Sequence, residues 1–318
     1  MKKMFFVVFL IGLVLSVQLV AANGQEESKT TTELKPMTLR YGISAGPGSV
    51  LEQKGRFFAE RVAEKTGGKL TIEVYPSGQL GTMQERIQGI SMGTVDMGAE
   101  AEMFMDSVIK DYAILSTPFL FTREELKTLP LIDDLREQAR QKSGIRTLPG
   151  IGFRPPFHLF TKGRPVYTPD ELQGLKVRVW GGAVVQVWNG LGATGVMTNW
   201  SDVYLSLAQG IADAIFHSTA TVYEAKLHEL VDYCMMIDAL ALTDATWIND
   251  ELFNSLPAEY QKALEEASEE SADWQTENFM KADVEARKIM EGKVKFLEVD
   301  RSVWEAKSQE LAKKMEND

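Results

Sequence analysis

At residues 168–180 the chain reads TPDELQGLKVRVW, which predicts a short helix followed directly by a strand. Thr168 suits a helix N-cap, with proline at the first helical position and two acids in the first turn. Gly174 ends that helix because glycine tolerates positive φ. Residues 175–179 then alternate apolar and basic, which is typical of a half-buried strand. Arg178 therefore lies at a rigid strand end, where its guanidinium can bind a ligand carboxylate or pair with a structural acid.

The N-terminus has the pattern of a secretory signal peptide. Two lysines precede a charge-free apolar run, residues 4–22, and small residues lead into a polar segment. We predict a signal peptide at residues 1–24 and a disordered leader at residues 25–36. A membrane span needs about 20 residues, so the run is borderline in length and an uncleaved anchor is the alternative. After cleavage we expect no stable membrane insertion.

Length and composition narrow the possible functions. The 318 residues suffice for two domains. The net charge of −11 argues against nucleic acid and anionic membranes as partners. Cys234 is alone, and His158, His217 and His228 lack the spacing of metal ligands, so we expect no metal site. Phosphate-loop and dinucleotide fingerprints are also absent from the sequence, so we expect no cofactor.

Strand and helix patterns alternate along the chain. Residues 39–43 alternate like a strand, and residues 82–85 form a capping box that starts a helix. Residues 123–142 predict a polar helix, residues 145–153 a crossing strand, and residues 256–290 one or two long charged helices. This alternation predicts an α/β fold with ligand sites beyond the carboxyl ends of its strands.

One motif suggests catalysis. Residues 42–46 match G-x-S-x-G, and Asp213 and His217 follow in the chain order of a hydrolase triad. A serine hydrolase using Ser44 is therefore an alternative. However, a Pro-Gly pair interrupts the turn, and the motif lies on the first strand, with no earlier strand to supply an oxyanion loop. The competing interpretation is a glycine-rich turn whose Ser44 hydroxyl faces a cleft.

The other candidate residues suit ligand binding better than catalysis. Arg154 and Arg178 are candidate anion ligands. Aromatic side chains are candidate pocket walls, although each taken singly is more often part of a core. These aromatic candidates are Phe157, Trp180, Trp188, Trp200 and Phe216.

A series of short motifs follows one order along nearly all of the mature chain. They are FFAE (57–60), EKTGGKL (64–70), VYPSGQLG (74–81), GTVDM (93–97), PFLF (118–121), TPDELQGLKVRV (168–179), SDVY (201–204) and QGIAD (209–213). In this order the chain resembles the periplasmic solute-binding subunits of tripartite ATP-independent (TRAP) transporters, the DctP-like group.

The resemblance implies a two-domain α/β periplasmic binding protein fold of type II-like architecture. Crossing hinge strands would join the domains, and a long C-terminal helix would span both. We expect domain I to comprise residues 37–152 and 240–282, and domain II to comprise residues 153–239 and 283–318. A solute would be trapped between the domains as they close.

The resemblance also implies which residues hold the solute. Arg178 matches the arginine that binds the solute's carboxylate bidentately, and Arg154 falls near a second, assisting arginine. His217 replaces the asparagine of the family's usual GQENP run. The ligand-binding residues expected are Arg178, Arg154, His217, Trp200, Ser44, Trp180, Glu102 and Phe216. Aromatic groups in place of small polar ones predict an acid with an apolar or aromatic portion, or a small hydroxy or keto acid.

As implied by the resemblance, the protein is a monomeric periplasmic receptor for a small carboxylate and not an enzyme. It would deliver its ligand to the small and large membrane subunits of a TRAP transporter. Delivery to a periplasmic sensor is the alternative that the sequence leaves open.

Overall fold

The computed structural model describes residues 34–315, which form two β-sheets with helices packed around them. The predicted signal peptide and most of the predicted leader, residues 1–33, lie outside the described residues. Within the described part of the chain, no helix combines the length and the apolar composition that crossing a bilayer requires.

The first sheet contains the strand–helix alternation predicted for the start of the chain. Leu39 and Tyr41 are buried in β1 (Met37–Gly42), which pairs in parallel with β2 (Leu70–Tyr75) and β3 (Met97–Ala101), whereas β11 (Thr243–Asn249) joins the sheet antiparallel. In spatial order the strands are β2 (Leu70–Tyr75), β1 (Met37–Gly42), β3 (Met97–Ala101), β11 (Thr243–Asn249) and β4 (Ile145–Thr147), with β5 (Gly152–Phe153) also paired to β11.

The second sheet contains the strand that ends near Arg178. In spatial order its strands are β12 (Lys295–Glu298), β10 (Tyr233–Met236), β6 (His158–Thr161), β9 (Ala214–His217), β7 (Lys176–Val179) and β8 (Thr194–Met197). β7 runs parallel to β8 and β9, while β6 is antiparallel to β9 and β10. The carboxyl ends of β7 and β9 therefore meet at one edge.

Helices connect the strands and cover both sheets. They are α1 (Val50–Lys65), α2 (Met83–Ser91), α3 (Arg123–Thr128), α4 (Pro130–Ser143), α5 (Gly182–Gly190), α6 (Val203–Ala208), α7 (Thr219–Glu224), α8 (Asp250–Ser255), α9 (Ala258–Met290) and α10 (Arg301–Met315). The capping box predicted at the start of α2 is present. The Thr82 hydroxyl accepts from the Glu85 N–H, and the Glu85 carboxylate accepts from the Thr82 N–H.

Two predicted elements are interrupted. The polar helix expected over residues 123–142 is split into α3 and α4, because Pro130 begins α4 and the preceding Leu129 is extended. The strand expected over residues 145–153 is two short pieces, β4 and β5, which both pair with β11.

The turn before β7 is tighter than predicted. Pro169–Leu172 forms a 3-10 helix, and the Thr168 side chain makes no capping hydrogen bond. Gly174 has a φ of 78°, as expected of a glycine that reverses the chain. The strand prediction over residues 175–179 is confirmed by β7 (Lys176–Val179), in which Arg178 is the next-to-last residue.

Two segments cross between the sheets side by side. The Arg154 N–H donates to the Leu242 carbonyl over 3.0 Å, and the Ala239 N–H donates to the Phe157 carbonyl over 3.0 Å. A single helix runs along both sheets, because α9 has 33 residues, a length of about 50 Å. It contacts α1 beside the first sheet and α7 beside the second. The two sheets are thus linked close to the edge where β7 and β9 end.

Candidate functional site

Arg178 is a buried cation without a carboxylate partner among the described residues. Only 3% of it is exposed. Its Nε donates to Thr198 Oγ1 at 3.2 Å, and its Nη2 donates to the Thr198 carbonyl at 2.8 Å. Burial lowers the pKa of Arg178 to about 10, which leaves the guanidinium charged at neutral pH. The positive charge of Arg178 is therefore buried beside two neutral groups of Thr198, and other N–H groups of its guanidinium are available to a ligand.

Trp200 joins Arg178 to His217 in one group. The Arg178 Cζ lies 5.6 Å from the Trp200 ring centre, which lies 5.3 Å from the centre of the His217 ring. The sheet places these side chains together, since Arg178 pairs with Ile215 and His217 is two residues further along β9. We call Arg178, Trp200 and His217 the anion group.

His217 is a neutral imidazole in this group. Its ring stacks on Phe157, with centres 4.3 Å apart and planes inclined by 28°. Its Nδ1 accepts the Ser218 N–H at 2.9 Å. Burial lowers the pKa of His217 well below its usual value, and the positive charges of Arg154 and Arg178 lower it further. His217 therefore adds hydrogen-bonding capacity to the anion group and no charge.

Arg154 has the opposite environment. Its Nε donates to both Asp244 carboxylate oxygens at 3.0 and 2.8 Å, and its Nη2 donates to Asp244 Oδ1 at 2.7 Å and to Glu100 Oε1 at 3.3 Å. Burial alone would lower the pKa of Arg154, but the two carboxylates outweigh burial and raise it. Arg154 was expected to be the second arginine that binds the ligand's carboxylate, but most of its N–H donors are engaged by acidic residues of the protein.

Ser44 is connected to Arg154 through Arg86 and Glu100. Its Oγ accepts from Arg86 Nη2 at 2.8 Å, and the same nitrogen donates to Glu100 Oε2 at 2.8 Å. Asp213 instead accepts the Lys176 N–H, and Ser44 has no hydrogen bond with Asp213 or His217 in the described structure. The residues of the proposed hydrolase triad are not brought together.

Glu102 is paired with an arginine that the sequence analysis did not consider. Its Oε1 accepts from Arg136 Nε at 2.6 Å, while its Oε2 is buried without a partner. Glu102 is completely buried, and Arg136 also donates to the Gly150 carbonyl. This position suits a structural ion pair.

Two of the expected wall residues, Trp180 and Phe216, belong to an aromatic cluster in the core. Their rings are stacked with centres 5.9 Å apart. Phe157 contacts both edge-on, at 5.8 and 5.4 Å, and Trp188 contacts Phe216 at 5.2 Å. Phe157 also stacks on His217, so the cluster supports the anion group from the core side.

Several residues of the ion-pair network were missed by the sequence analysis. Lys54 on α1 donates to Thr246 Oγ1 at 2.8 Å, and burial lowers the pKa of Lys54 to about 8. Gln275 on α9 donates to Asp244 Oδ2 at 2.7 Å. Lys54 is four residues after Val50 and four before Phe58, so helical spacing assigns it to the buried face of α1, although charged residues on a helix are usually solvated. We call Arg154, Asp244, Glu100, Arg86, Ser44, Lys54, Thr246 and Gln275 the ion-pair network.

The described residues offer little support for metal or thiol chemistry. Within them no group of three or more His, Cys, Asp or Glu side chains is placed to hold a metal ion. Cys234 is buried, and burial raises the pKa of its thiol well above the usual value. Its thiol is therefore protonated and packed as a small apolar group.

Two sheets joined by paired crossing segments, with a long helix along both, have the architecture of the periplasmic binding protein class. The chain belongs to the DctP family, bacterial extracellular solute-binding protein family 7, whose model matches residues 41–318. This is a family of receptors and not of enzymes, which sets aside the hydrolase alternative for Ser44.

Relatives and solved structures agree with this assignment. The chain is 28% identical over 254 residues to the 2,3-diketo-L-gulonate-binding periplasmic protein YiaO of Escherichia coli, covering 77% of this chain and 76% of that protein. It is 25% identical over 244 residues to the C4-dicarboxylate-binding periplasmic protein DctP of Rhodobacter capsulatus, covering 76% and 73%. A TRAP solute-binding protein from Anaerococcus prevotii with bound D-glucuronate is similar with a TM-score of 0.83 at 22% identity, covering 89% and 94%. One from Roseobacter denitrificans with bound L-galactonate gives 0.81 at 24%, covering 88% and 94%.

Proposed function

We propose that this protein captures a small organic acid in the periplasm through the guanidinium of Arg178 and delivers it to the membrane subunits of a TRAP transporter. The observation that supports this most directly is the buried charge of Arg178, which no carboxylate of the described residues neutralises. An isolated buried charge is costly. A ligand carboxylate that forms a bidentate pair with Arg178 would remove that cost.

The ligands of similar proteins support the same chemistry. Glucuronate, galactonate and 2,3-diketo-L-gulonate are all carboxylates, and they are bound by proteins similar to this one. All three are six-carbon sugar acids, so they share hydroxyl-bearing carbons as well as the carboxylate. The carboxylate is the part that a guanidinium can pair with, and we propose that it binds at the anion group of this chain.

The energetics require more than the arginine. A charge-assisted hydrogen bond contributes about 1.5–3 kcal/mol, so two such bonds fall short of the ~8 kcal/mol that micromolar binding needs. Contact with the exposed part of Trp200 and exclusion of water as the cleft closes supply the remainder. The ligand therefore has an apolar portion, or is small enough to be enclosed completely.

Closure acts between two domains that we assign by their sheets. Domain I comprises residues 37–152 and 240–282, and domain II comprises residues 153–239 and 283–318. The sheet membership of the strands supports this division, apart from Phe153 at the end of β5. Residues 1–24 would be removed on secretion, and the mature receptor acts as a monomer in the periplasm.

A thermal-shift screen of the mature protein against keto, hydroxy, aromatic and sugar acids tests this function. A ligand at about 100 times its Kd stabilises the folded protein by about 2.7 kcal/mol, which raises the Tm by a few degrees in a chain of this size. Arg178→Met should show no shift with any acid. Lys162→Met, which removes an exposed cation at the end of β6, should respond like the wild type. Equal shifts in wild type and Arg178→Met would refute the role of Arg178.

A further inference from the structure

The guanidinium of Arg178 has two edges that can hold both oxygens of a carboxylate. The side edge is formed by the Nε–H and the neighbouring Nη2–H, and the end edge by one N–H from each of Nη1 and Nη2. Thr198 occupies the side edge, because its hydroxyl accepts from Nε at 3.2 Å and its carbonyl accepts from Nη2 at 2.8 Å. A carboxylate can therefore reach the side edge only by displacing Thr198.

The end edge of Arg178 is open to a ligand. Among residues 34–315 no acceptor contacts Nη1, although Arg178 as a whole is buried. Nη1 is also not one of the side-chain nitrogens that the protein encloses without a partner. This nitrogen therefore borders space that a small molecule can enter. The two edges thus differ, since one is held by the protein and the other can be approached.

Thr198 is itself fixed by the second sheet. It follows directly after β8, in which Val196 lies opposite Arg178 of β7. The Thr198 N–H donates to the Val179 carbonyl at 3.3 Å. Branching at Cβ limits the side chain of threonine to few rotamers. Both acceptors on the side edge are therefore fixed relative to the strand that carries Arg178.

We propose that Thr198 is a positioning residue of this receptor, which holds the side edge of Arg178 and directs the end edge at the ligand's carboxylate. This inference rests on the proposed function and adds the geometry of capture. Binding at the side edge would deprive the Thr198 carbonyl of its donor, a cost that binding at the end edge avoids. A guanidinium already held by two hydrogen bonds also loses less freedom when the ligand binds than one that can rotate.

The hydroxyl is the part of this arrangement that depends on the residue at position 198, because any residue supplies a backbone carbonyl. Without the hydroxyl, Nε–H has no acceptor and the guanidinium can turn about its remaining hydrogen bond to the carbonyl. The end edge is then no longer held toward the ligand. Loss of the hydroxyl should therefore weaken binding, although the ligand's carboxylate does not contact Thr198.

Calorimetric titration tests the inference with pyruvate, lactate, 3-phenylpropanoate and D-glucuronate, one acid from each class of the thermal-shift screen. For every acid that binds the wild type, Thr198→Val should bind about tenfold more weakly, the effect of one hydrogen bond. Thr198→Ser keeps the hydroxyl and should bind like the wild type. The matched control is Thr161→Val, which removes a hydroxyl that donates to the Arg164 carbonyl at 2.6 Å. It should lose stability and keep its affinity.

A crystal structure of the wild type with the tightest-binding of these acids shows the edge directly. The carboxylate oxygens should lie on Nη1 and Nη2, with Thr198 still bound to Nε. A carboxylate on the side edge, or wild-type affinity in Thr198→Val, would overturn the inference while the role of Arg178 stands. Equal losses in Thr198→Ser and Thr198→Val would also overturn it. If no acid among these four or in the wider screen binds the wild type, the proposed function itself fails.

Discussion

Arg178 and Arg154 are both buried, with 3% and 7% of their surfaces exposed, yet they occupy opposite electrostatic environments. The guanidinium of Arg154 is bound by Asp244 and Glu100, whereas that of Arg178 donates, within residues 34–315, to the hydroxyl and carbonyl of Thr198 and to no carboxylate. A buried cation that is paired with acids stabilises or organises the fold, whereas a buried cation without such acids is available to bind an anionic ligand. The surroundings of an arginine, and not its burial, indicate which of the two binds a ligand.

The ion-pair network also explains why Arg154 cannot easily be redirected. Asp244 lies on β11 and Glu100 on β3, and Gln275 extends to the same carboxylate from α9. Releasing Arg154 toward a ligand would leave these acids buried and underpaired. The network therefore holds three elements together through side-chain hydrogen bonds, while the anion group remains available.

Arg178→Met should give the largest effect, a strong loss of ligand affinity without a loss of stability. Loss of two charge-assisted bonds should weaken binding of the cognate acid at least about 100-fold. The free energy of unfolding should be unchanged or higher, because a buried cation without a counter-ion has been removed. Calorimetric titration and urea unfolding measure the two effects. A large loss of stability with retained affinity would reverse our assignment of the two arginines.

Arg154→Met should mainly affect stability. Breaking a buried ion pair by removing one partner costs about 3–5 kcal/mol, because Asp244 and Glu100 keep their buried charges. Urea unfolding measures this loss. The double variant Arg154→Met with Asp244→Asn should lose less than the sum of the single variants, since each removes the same pair. Additive losses would mean that Arg154 and Asp244 do not act as a pair.

Glu224, which lies near Arg154, predicts how the folding stability depends on pH. It accepts the Val50 N–H at 3.1 Å across 174 residues of chain, and burial raises its pKa to about 7 from 4.5, although Arg154 opposes the shift. The folded state therefore binds a proton more tightly than the unfolded state. Its contribution to stability is fully present below pH 4.5 and is lost as the pH rises through about 7.

Glu224→Gln should remove this contribution. Between pH 4.5 and 7 the stability of the wild type should fall relative to the variant. The change should be on the order of 2 kcal/mol after allowance for partial exposure. Urea unfolding at several pH values measures the difference. Parallel profiles for wild type and variant would show that another group titrates there.

Of the variants considered, Trp200→Leu should have the smallest effect, and it should change the ligand affinity and not the stability. The ligand contacts the exposed part of the Trp200 ring, and leucine keeps some of that apolar contact. A loss of about 0.5–1 kcal/mol should therefore lower the affinity two- to fivefold, with ~1.4 kcal/mol per factor of ten. Stability should change little, because the ion-pair network is untouched. A loss of affinity as large as that in Arg178→Met would make Trp200 the principal contact.

Element types followed from local sequence better than element boundaries did. The strand at residues 175–179 and the capping box at residues 82–85 depend on side-chain alternation and on bonds three residues apart, both visible in the sequence. The helix over residues 123–142 was predicted as continuous although Pro130 divides it. The signal was present in the sequence, because proline lacks a backbone N–H and disfavours a helical conformation in the residue before it.

The sequence predicts candidate residues for the site but not the partners of those residues. Arg178, Arg154 and His217 were chosen from motif order, and the sequence alone gave both arginines the same role. Arg154 and Asp244 are 90 residues apart, and composition does not say which of 45 acidic residues faces a given arginine. Periodicity and capping are local and can be read along the chain. Compensation of a buried charge depends on which distant strands pair, so only the tertiary structure decided that Arg154 is neutralised and Arg178 is not.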